Sequence, residues 1–305
     1  MDGSIAVLAG QIVSMFLIMA VGFILVRSKL VDDHGVSQLS NVVMYVANPA
    51  AIVVSFIRPF DYTELANGLW SIAISLLVLV VTSVLAQIAF RKKNVVSQAA
   101  VIFSNSGFIG IPLVQSVLGI DYVFYLSMVL VAYNIYVWTY GVYLVSGDKK
   151  QASLTSALKN PVVISVCVGL VIYLTQLALP DMVVTAITDI ANLNTGLAML
   201  VLGAMLAGAD IRSLLRDRKL YKASLLRLVV APLVTIALLC AFGFLPVNVR
   251  LVTLIAYAAP TGVIVAMFAD KFGKDYRYAA GVVSVSTLLS LLTMPPIMAL
   301  ALALF

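Results

Sequence analysis

The chain has 305 residues, of which 63% are hydrophobic and only 10% are charged. Soluble domains are closer to half apolar and a quarter charged, and a globular protein of this size could not keep so much apolar surface away from water. The composition therefore excludes a soluble enzyme, a nucleic-acid-binding protein, a disulfide scaffold and a disordered chain. It predicts an integral membrane protein in contact with the lipid bilayer.

Ten stretches of the chain are long and apolar enough to cross a membrane, since a spanning helix needs about 20 apolar residues. They are residues 3–26, 34–57, 65–90, 94–120, 122–147, 160–180, 182–209, 228–249, 251–269 and 278–305, and we number them segments one to ten. The seventh is interrupted only by Asp189. No connector is large enough to be a domain. The fold class predicted is an all-α polytopic membrane protein of ten transmembrane helices.

The net charge of +6 reflects cations that lie between the apolar segments. Of the 19 Lys and Arg residues, 17 follow odd-numbered segments, and only Arg58 and Arg250 fall in the other connectors. Short loops rich in Lys and Arg stay in the cytoplasm. We therefore predict a multi-pass protein of the plasma (inner) membrane with both termini outside the cytoplasm.

The chain divides into two sets of five segments, residues 1–146 and 161–305, joined by a cytoplasmic linker at 147–160. Because five is odd, the second set must enter the membrane from the side opposite to the first. Two similar halves would then form an inverted repeat, an architecture found in many secondary transporters.

Helix-breaking residues recur at a nearly constant offset between the two sets, as a duplicated unit predicts. Pro49 in segment two and Gly196 in segment seven are 147 residues apart, and Pro112 in segment four and Pro260 in segment nine are 148 apart. A single proline or glycine in a membrane helix can serve packing alone. Pro49 by itself is best interpreted as such a kink.

The densest breakers, residues 104–112 and 258–262, predict that segments four and nine both unwind and cross near the middle of the membrane. Lipid cannot satisfy freed backbone groups, so such breaks survive only beside protein or a water-filled cavity. The half-helix N-termini would offer N–H donors to an anion. The predicted binding residues are Asn105, Ser106, Gly107, Gly110, Pro112, Pro260, Thr261 and Gly262.

Other polar residues in the apolar segments are candidates for a pathway or a coupling site: Asn48, Asn134, Asp189 and Asn194. A carboxylate at depth is costly unless it is paired, hydrated or protonated, so Asp189 is a candidate H⁺ or Na⁺ coupling site. Alternatively, Asp189 lies in the outer third of the membrane and reaches water. For Arg227, at the cytoplasmic start of segment eight, we expect the stem along the helix and the head at the interface.

Several functional classes lack their signatures in this sequence. There is no G-x-x-x-x-G-K-[ST] motif, so we predict that the chain does not split ATP. A membrane-embedded enzyme would need a nucleophile with a base, paired aspartates or a metal triad, and the chain has one His and a single Asp within a segment. We predict no enzyme activity, cofactor or metal. The spacing of Gly203 with Ala207, and of Ala204 with Gly208, fits close helix packing or a homodimer interface equally well.

At these positions the sequence resembles the auxin efflux carrier family in its short-loop bacterial form. The most specific part is Asn-Ser-Gly-Phe-Ile-Gly-Ile-Pro-Leu at 105–113, which is similar to the family's fourth-helix pattern. Supporting matches are Asn-Pro-Ala at 48–50, Leu-Gly-Ala-Met-Leu-Ala at 202–207 and Ala-Pro-Thr at 259–261. The chain departs from the family at Thr195-Gly196, where proline is frequent, and after Thr261, where asparagine is frequent.

The resemblance implies two inverted five-helix repeats with broken crossover helices four and nine. Segments one, two, six and seven would form a scaffold, and segments three to five and eight to ten a transport domain. It also implies a secondary transporter that moves a small organic anion, a mono- or dicarboxylate, by alternating access. The long central loop of plant members is missing, which makes plant-hormone transport less expected. The alternative is an ion exchanger or channel of similar fold without an organic substrate.

Overall fold

A computed structural model describes residues 2–90, 94–208 and 217–305. Within these ranges most residues are helical, and the only strand-like feature is one pair of bridged residues. The all-helical class predicted from composition is confirmed. Some of the cations used in the topology prediction lie outside the described residues, namely Arg91, Lys92, Lys93, Arg212 and Arg216.

The principal helices follow the predicted segments in order. They are α1 Asp2–Arg27, α2 Asp33–Ser55, α3 Tyr62–Ala89, α4 Val95–Ile102, α5 Ser106–Val117, α6 Ile120–Ser146, α7 Pro161–Thr175, α8 Asp181–Ala207, α9 Arg218–Cys240, α10 Val247–Ala258, α11 Ile264–Lys271 and α12 Tyr276–Leu304. Short helical turns at Lys149–Gln151 and Leu154–Leu158 connect α6 to α7.

Eight helical stretches among the described residues are long and apolar enough to cross a membrane. They correspond to α1, α2, α3, α6, α7 with the turns before it, α8, α9 and α12. Segments four and nine are instead divided, into α4 and α5 and into α10 and α11. The two segments predicted to be interrupted are therefore the two that lack a long continuous helix.

The interruptions have local causes. In segment nine Pro260 has no N–H to donate, and the residue before a proline is pushed out of the α region; Ala259 is accordingly extended, with φ −57° and ψ 149°. In segment four Phe103 is extended, and Asn105 follows with φ −86° and ψ 51°. Short polar side chains such as that of Asn105 compete for backbone hydrogen bonds and favour helix starts over helix interiors.

The break in segment four is shorter than predicted. Only residues 103–105 leave the helix, and Gly107, Gly110 and Pro112 lie within α5, contrary to the prediction that residues 104–112 unwind. The missing N–H of Pro112 is accommodated by a π-helical turn over Ser106–Gly110 rather than by unwinding. Similarly, Pro49 and Thr195-Gly196 do not interrupt α2 and α8.

Close approaches at two glycines fix how α1 packs against α8. A Cβ on Gly22 of α1 would collide with the backbone carbonyl of Leu200 in α8, and one on Gly203 of α8 would collide with that of Met19 in α1. The small-residue spacing at Gly203 is thus used for a contact within the chain. On the outside, large apolar side chains such as Ile88, 80% exposed, face outward as expected beside lipid.

Candidate functional site

The two interruptions pair with each other, and we call residues 103–105 and 259–263 the crossing. Ser104 and Thr261 form an antiparallel bridge. The Asn105 amide donates to the Pro260 carbonyl at 2.7 Å, and the Gly262 amide donates to the Phe103 carbonyl at 2.9 Å. Backbone that leaves one helix is therefore satisfied by backbone that leaves the other, deep inside the protein. The predicted meeting of segments four and nine is observed.

Gly262 permits this close approach. A Cβ at position 262 would lie 2.7 Å from the Ser104 carbonyl oxygen. At that distance the backbone of one of the two interruptions would have to move. Thr261 is fully buried beside it. Its hydroxyl donates to the Ala100 carbonyl at 3.0 Å, and its backbone amide donates to Ser286 Oγ at 3.1 Å. The sequence Thr261-Gly262 thus locks the second interruption onto the first.

The carbonyl groups at the end of α4 are all occupied. The last carbonyls of a helix lack partners within the helix. Here the Ala99 carbonyl accepts from the Phe103 amide at 2.9 Å, and the Ala100 carbonyl accepts from Thr261 Oγ1. The Val101 carbonyl accepts from Arg227 Nη1 at 2.9 Å, with Ile102 at 3.5 Å from the same nitrogen.

The end of α10 is closed in the same way. The Ala256 carbonyl accepts from Ser106 Oγ at 3.1 Å, and the Tyr257 carbonyl accepts from Arg227 Nη2 at 2.6 Å. Beyond the helix, the Ala259 carbonyl accepts from Arg227 Nε at 2.9 Å. One guanidinium group therefore joins the C-terminal ends of the two half-helices.

Arg227 corrects the sequence-based expectation. It is fully buried, whereas we expected its head at the cytoplasmic interface. The charge pattern predicts that segment eight starts after this residue, but α9 begins at Arg218, so Arg227 lies inside the helix. The expectation failed because charge was used to end segments, while the carbonyl groups that hold Arg227 come from segments distant in sequence.

The donor side of the crossing is open. The first amides of α5, at Ser106 and Gly107, have no carbonyl one turn earlier in the helix. Asn105 is only 5% exposed, and its Nδ2 is buried without a hydrogen-bond partner. No atom lies within 4 Å of a Cβ built on Gly107, so there is room for a ligand atom at the start of α5.

Further buried side-chain amides without partners lie on α5 itself, on α8, which packs against α5, and on α2, which packs against α8. Asn194 of α8 is fully buried with neither amide atom bonded, and Asn48 Oδ1 of α2 is also unpartnered. Gln115 of α5 donates to the Ala191 carbonyl of α8 at 3.4 Å, while its Oε1 remains unpartnered. Buried polar groups are normally satisfied by protein or by ordered water, so the unpartnered amides on α2, α5 and α8 mark polar positions outside the crossing.

Two predicted candidates are not brought to the crossing by any observed contact. Asn134 Nδ2 donates to the Leu130 carbonyl of its own helix α6 at 2.8 Å. Asp189 is exposed on the outside of α8. By contrast Tyr133, next to Asn134, donates its hydroxyl to the Ser104 carbonyl at 2.6 Å.

The most important residue missed in the site prediction is Arg227. Its sequence carried a signal, because it has apolar neighbours on both sides in Leu225-Leu226 and Leu228-Val229-Val230. A cation embedded in an apolar run is expensive and normally has a partner inside the protein. Ser286 carried no such signal, since hydroxyls in membrane helices usually bond within their own helix or to a neighbour.

Comparison with known proteins gives one broad match. A family model described as "Membrane transport protein" covers residues 7–298. The match therefore contains both interruptions and all twelve principal helices, apart from a few residues at either end. No curated protein matches the chain. Among the described residues no group of three or more His, Cys, Asp or Glu side chains could hold a metal ion.

Proposed function

The chain belongs to the auxin efflux carrier family of membrane transport proteins, and we propose that it is a secondary transporter of a small organic anion. The family makes it a multi-pass membrane transporter. The proposed substrate is a mono- or dicarboxylate, moved across the plasma (inner) membrane by alternating access. The proposed binding site is the start of α5 at the crossing.

One contrast carries this proposal: carbonyl groups at the ends of α4 and α10 are occupied, while donors remain open. Arg227, Thr261 and Ser106 occupy the carbonyl groups of Ala100, Val101, Ala256, Tyr257 and Ala259. Asn105 Nδ2 is buried without a hydrogen-bond partner, and the first amides of α5 have no carbonyl one turn earlier in the helix. This arrangement favours an anion over a cation.

Helix dipoles favour the same sign of ligand. Each helix N-terminus carries about half a positive elementary charge, and α5 and α11 both begin at the crossing. The opposite, negative charge at the C-termini of α4 and α10 is balanced by the guanidinium of Arg227. The positive charge at the starts of α5 and α11 is therefore not compensated within the protein. Its sum, about one elementary charge, matches the charge of one carboxylate group.

We further propose that the fold is two inverted five-helix repeats, residues 1–146 and 161–305, joined by the linker 147–160. Eight spanning helices and two interrupted segments support ten crossings. A repeated packing feature supports the duplication. Gly22 of α1 packs against backbone in α8, and Gly169 of α7, 147 residues later, packs against Phe56 of α2. The offset equals that between Pro49 and Gly196.

In this arrangement α1, α2, α7 and α8 form the scaffold and the remaining helices form the transport domain. The contact between α8 and α5, where Gln115 donates to the Ala191 carbonyl, then lies between the two domains, where a substrate would pass. Both termini lie outside the cytoplasm in this topology. The alternative of an ion exchanger or channel is less favoured, since Arg227 occupies the carbonyl groups of Val101, Tyr257 and Ala259, which could otherwise hold a cation.

Carboxylate-dependent stabilisation of the purified protein tests the proposal. A ligand that binds only the native state raises apparent stability with its concentration. We expect small mono- and dicarboxylates, at constant ionic strength, to raise the apparent Tm, and uncharged amides of the same shape to have no effect. Asn105→Ala should weaken the response without lowering the Tm of the free protein.

Asn248→Ala is the matched control. Asn248 is on α10, which leads into the crossing, but its side-chain amide donates to Tyr122 at 2.6 Å near the far end of that helix, about 16 Å of helix from the crossing. This variant should keep the full carboxylate response. Equal responses in Asn105→Ala and the wild type would overturn the proposed site.

A further inference from the structure

Arg227 is a buried cation without an acidic partner. No carboxylate among the described residues pairs with it, and its guanidinium contacts backbone carbonyl oxygens, those of Val101, Ile102, Tyr257 and Ala259. Removing an ion from water costs several kcal/mol unless other charge and hydrogen bonds replace the solvent. The compensating charge must therefore come from the backbone that surrounds the guanidinium.

The two helix ends supply that charge. A helix C-terminus carries about half a negative elementary charge, so the converging ends of α4 and α10 together carry about one. The guanidinium carries one positive charge, and its planar, forked donors reach carbonyl groups from both helices at once. Charge and geometry match without any side-chain carboxylate.

We infer that Arg227 is a positioning residue that takes the place of a bound cation at the crossing. In transporters with discontinuous helices, unwound carbonyl groups and half-helix C-termini commonly coordinate Na⁺. Here the corresponding carbonyl groups are occupied by a side chain of the protein itself. Arg227 acts through the main chain, because it holds the ends of α4 and α10 together and so fixes where Asn105 and the start of α5 point.

This role makes a specific prediction about an emptied site. If Arg227 is replaced by alanine, the same four carbonyl groups and about one negative charge remain around a cavity of guanidinium shape. Free guanidinium ion at millimolar concentration should enter it and restore the crossing. A residue that merely fills space would not require a cation in its place.

Thermal unfolding of purified variants tests the inference without any substrate. For Arg227→Ala we expect an apparent Tm below that of the wild type, and a saturable rise with guanidinium chloride when choline chloride keeps the ionic strength constant. Wild type should show no such rise. Arg227→Met fills the cavity with an apolar chain of similar length, so it should remain destabilised and insensitive to guanidinium.

The outcomes are distinct. Insensitivity of Arg227→Ala to guanidinium, or wild-type stability of Arg227→Met, would overturn the inference. If Arg227→Ala can be purified only in guanidinium and is lost when the ion is removed, the inference is supported. If it cannot be purified at all, Arg227→Lys decides: its ammonium group should keep the protein folded with a Tm between those of wild type and Arg227→Met, and equality with Arg227→Met would overturn it.

The link to anion binding rests on the proposed function and is measured separately. In Arg227→Ala the carboxylate-induced Tm shift should be reduced and should recover with guanidinium. If no carboxylate stabilises even the wild type, the proposed function fails while the guanidinium result still reports on Arg227. If carboxylates stabilise the wild type but guanidinium does not rescue Arg227→Ala, only the inference fails.

Discussion

The backbone amide of Asn105 donates to the carbonyl of Pro260 at 2.7 Å, which ties the start of α5 to the interruption between α10 and α11. The same residue carries the buried amide nitrogen that has no partner. Asn105 is therefore held by its backbone and open at its side chain. A side chain that binds a ligand needs both a free hydrogen-bonding atom and a fixed backbone, since a fixed position reduces the entropy lost when the ligand binds.

Substitutions of Gly262 in the crossing and of Gly107 at the start of α5 should have different effects. Gly262→Ala places a Cβ 2.7 Å from the Ser104 carbonyl, so we expect a large loss of thermal stability. Gly107→Ala meets no atom within 4 Å and should leave stability nearly unchanged while hindering carboxylate binding at the start of α5. Thermal unfolding with and without carboxylate measures both effects. Similar stability for the two variants would contradict this packing.

The Thr261 hydroxyl should contribute a measurable part of the stability. Thr261→Val has nearly the same shape but leaves the buried Ala100 carbonyl without its partner, which costs about 1–3 kcal/mol. Thr261→Ser keeps the hydroxyl and should retain most of that stability. Chemical or thermal unfolding of the two variants in the same detergent provides the comparison. A loss for Thr261→Ser as large as that for Thr261→Val would contradict the prediction that the hydrogen bond dominates.

Asn194 should be retained for function rather than for stability. Both of its amide atoms are buried and unpartnered, and replacing an unsatisfied polar group by an apolar one of similar shape can be neutral or stabilising. We expect Asn194→Leu to keep or raise the apparent Tm and to reduce carboxylate uptake into proteoliposomes. A variant that loses stability but keeps full uptake would contradict a role between scaffold and transport domain.

The two glycines at the α1–α8 contact, Gly22 and Gly203, should not tolerate replacement by a residue with a side chain. Gly22→Ala and Gly203→Ala both push a Cβ into the backbone of the opposite helix, so we expect loss of folded protein on size-exclusion chromatography. Gly10→Ala lies on the same helix α1 with nothing within 4 Å of its Cβ, and it should behave as wild type. Normal elution of Gly22→Ala and Gly203→Ala would show that the helices are farther apart.

Much of this fold could be predicted because its causes are local. Apolar length identifies the spanning helices, and the lack of an N–H at Pro260 predicts the second interruption directly. The effect of Pro112 was overestimated, because a π-helical turn absorbs it without unwinding. The burial of Arg227 could not be predicted from apolar length, since its partners at Val101 and Tyr257 come from two other segments. The contact of Gly203 with α1 could not be predicted either, because α1 is distant from Gly203 in sequence.

The most direct measurement of the central claim is an experimental structure with a bromine-labelled small carboxylate, located by anomalous scattering. The account predicts a bromine peak beside the crossing, with the carboxylate within hydrogen-bonding distance of Asn105 Nδ2 and the first amides of α5. It also predicts that the peak disappears in Asn105→Ala. A well-occupied carboxylate elsewhere in the protein, with the crossing empty, would contradict it.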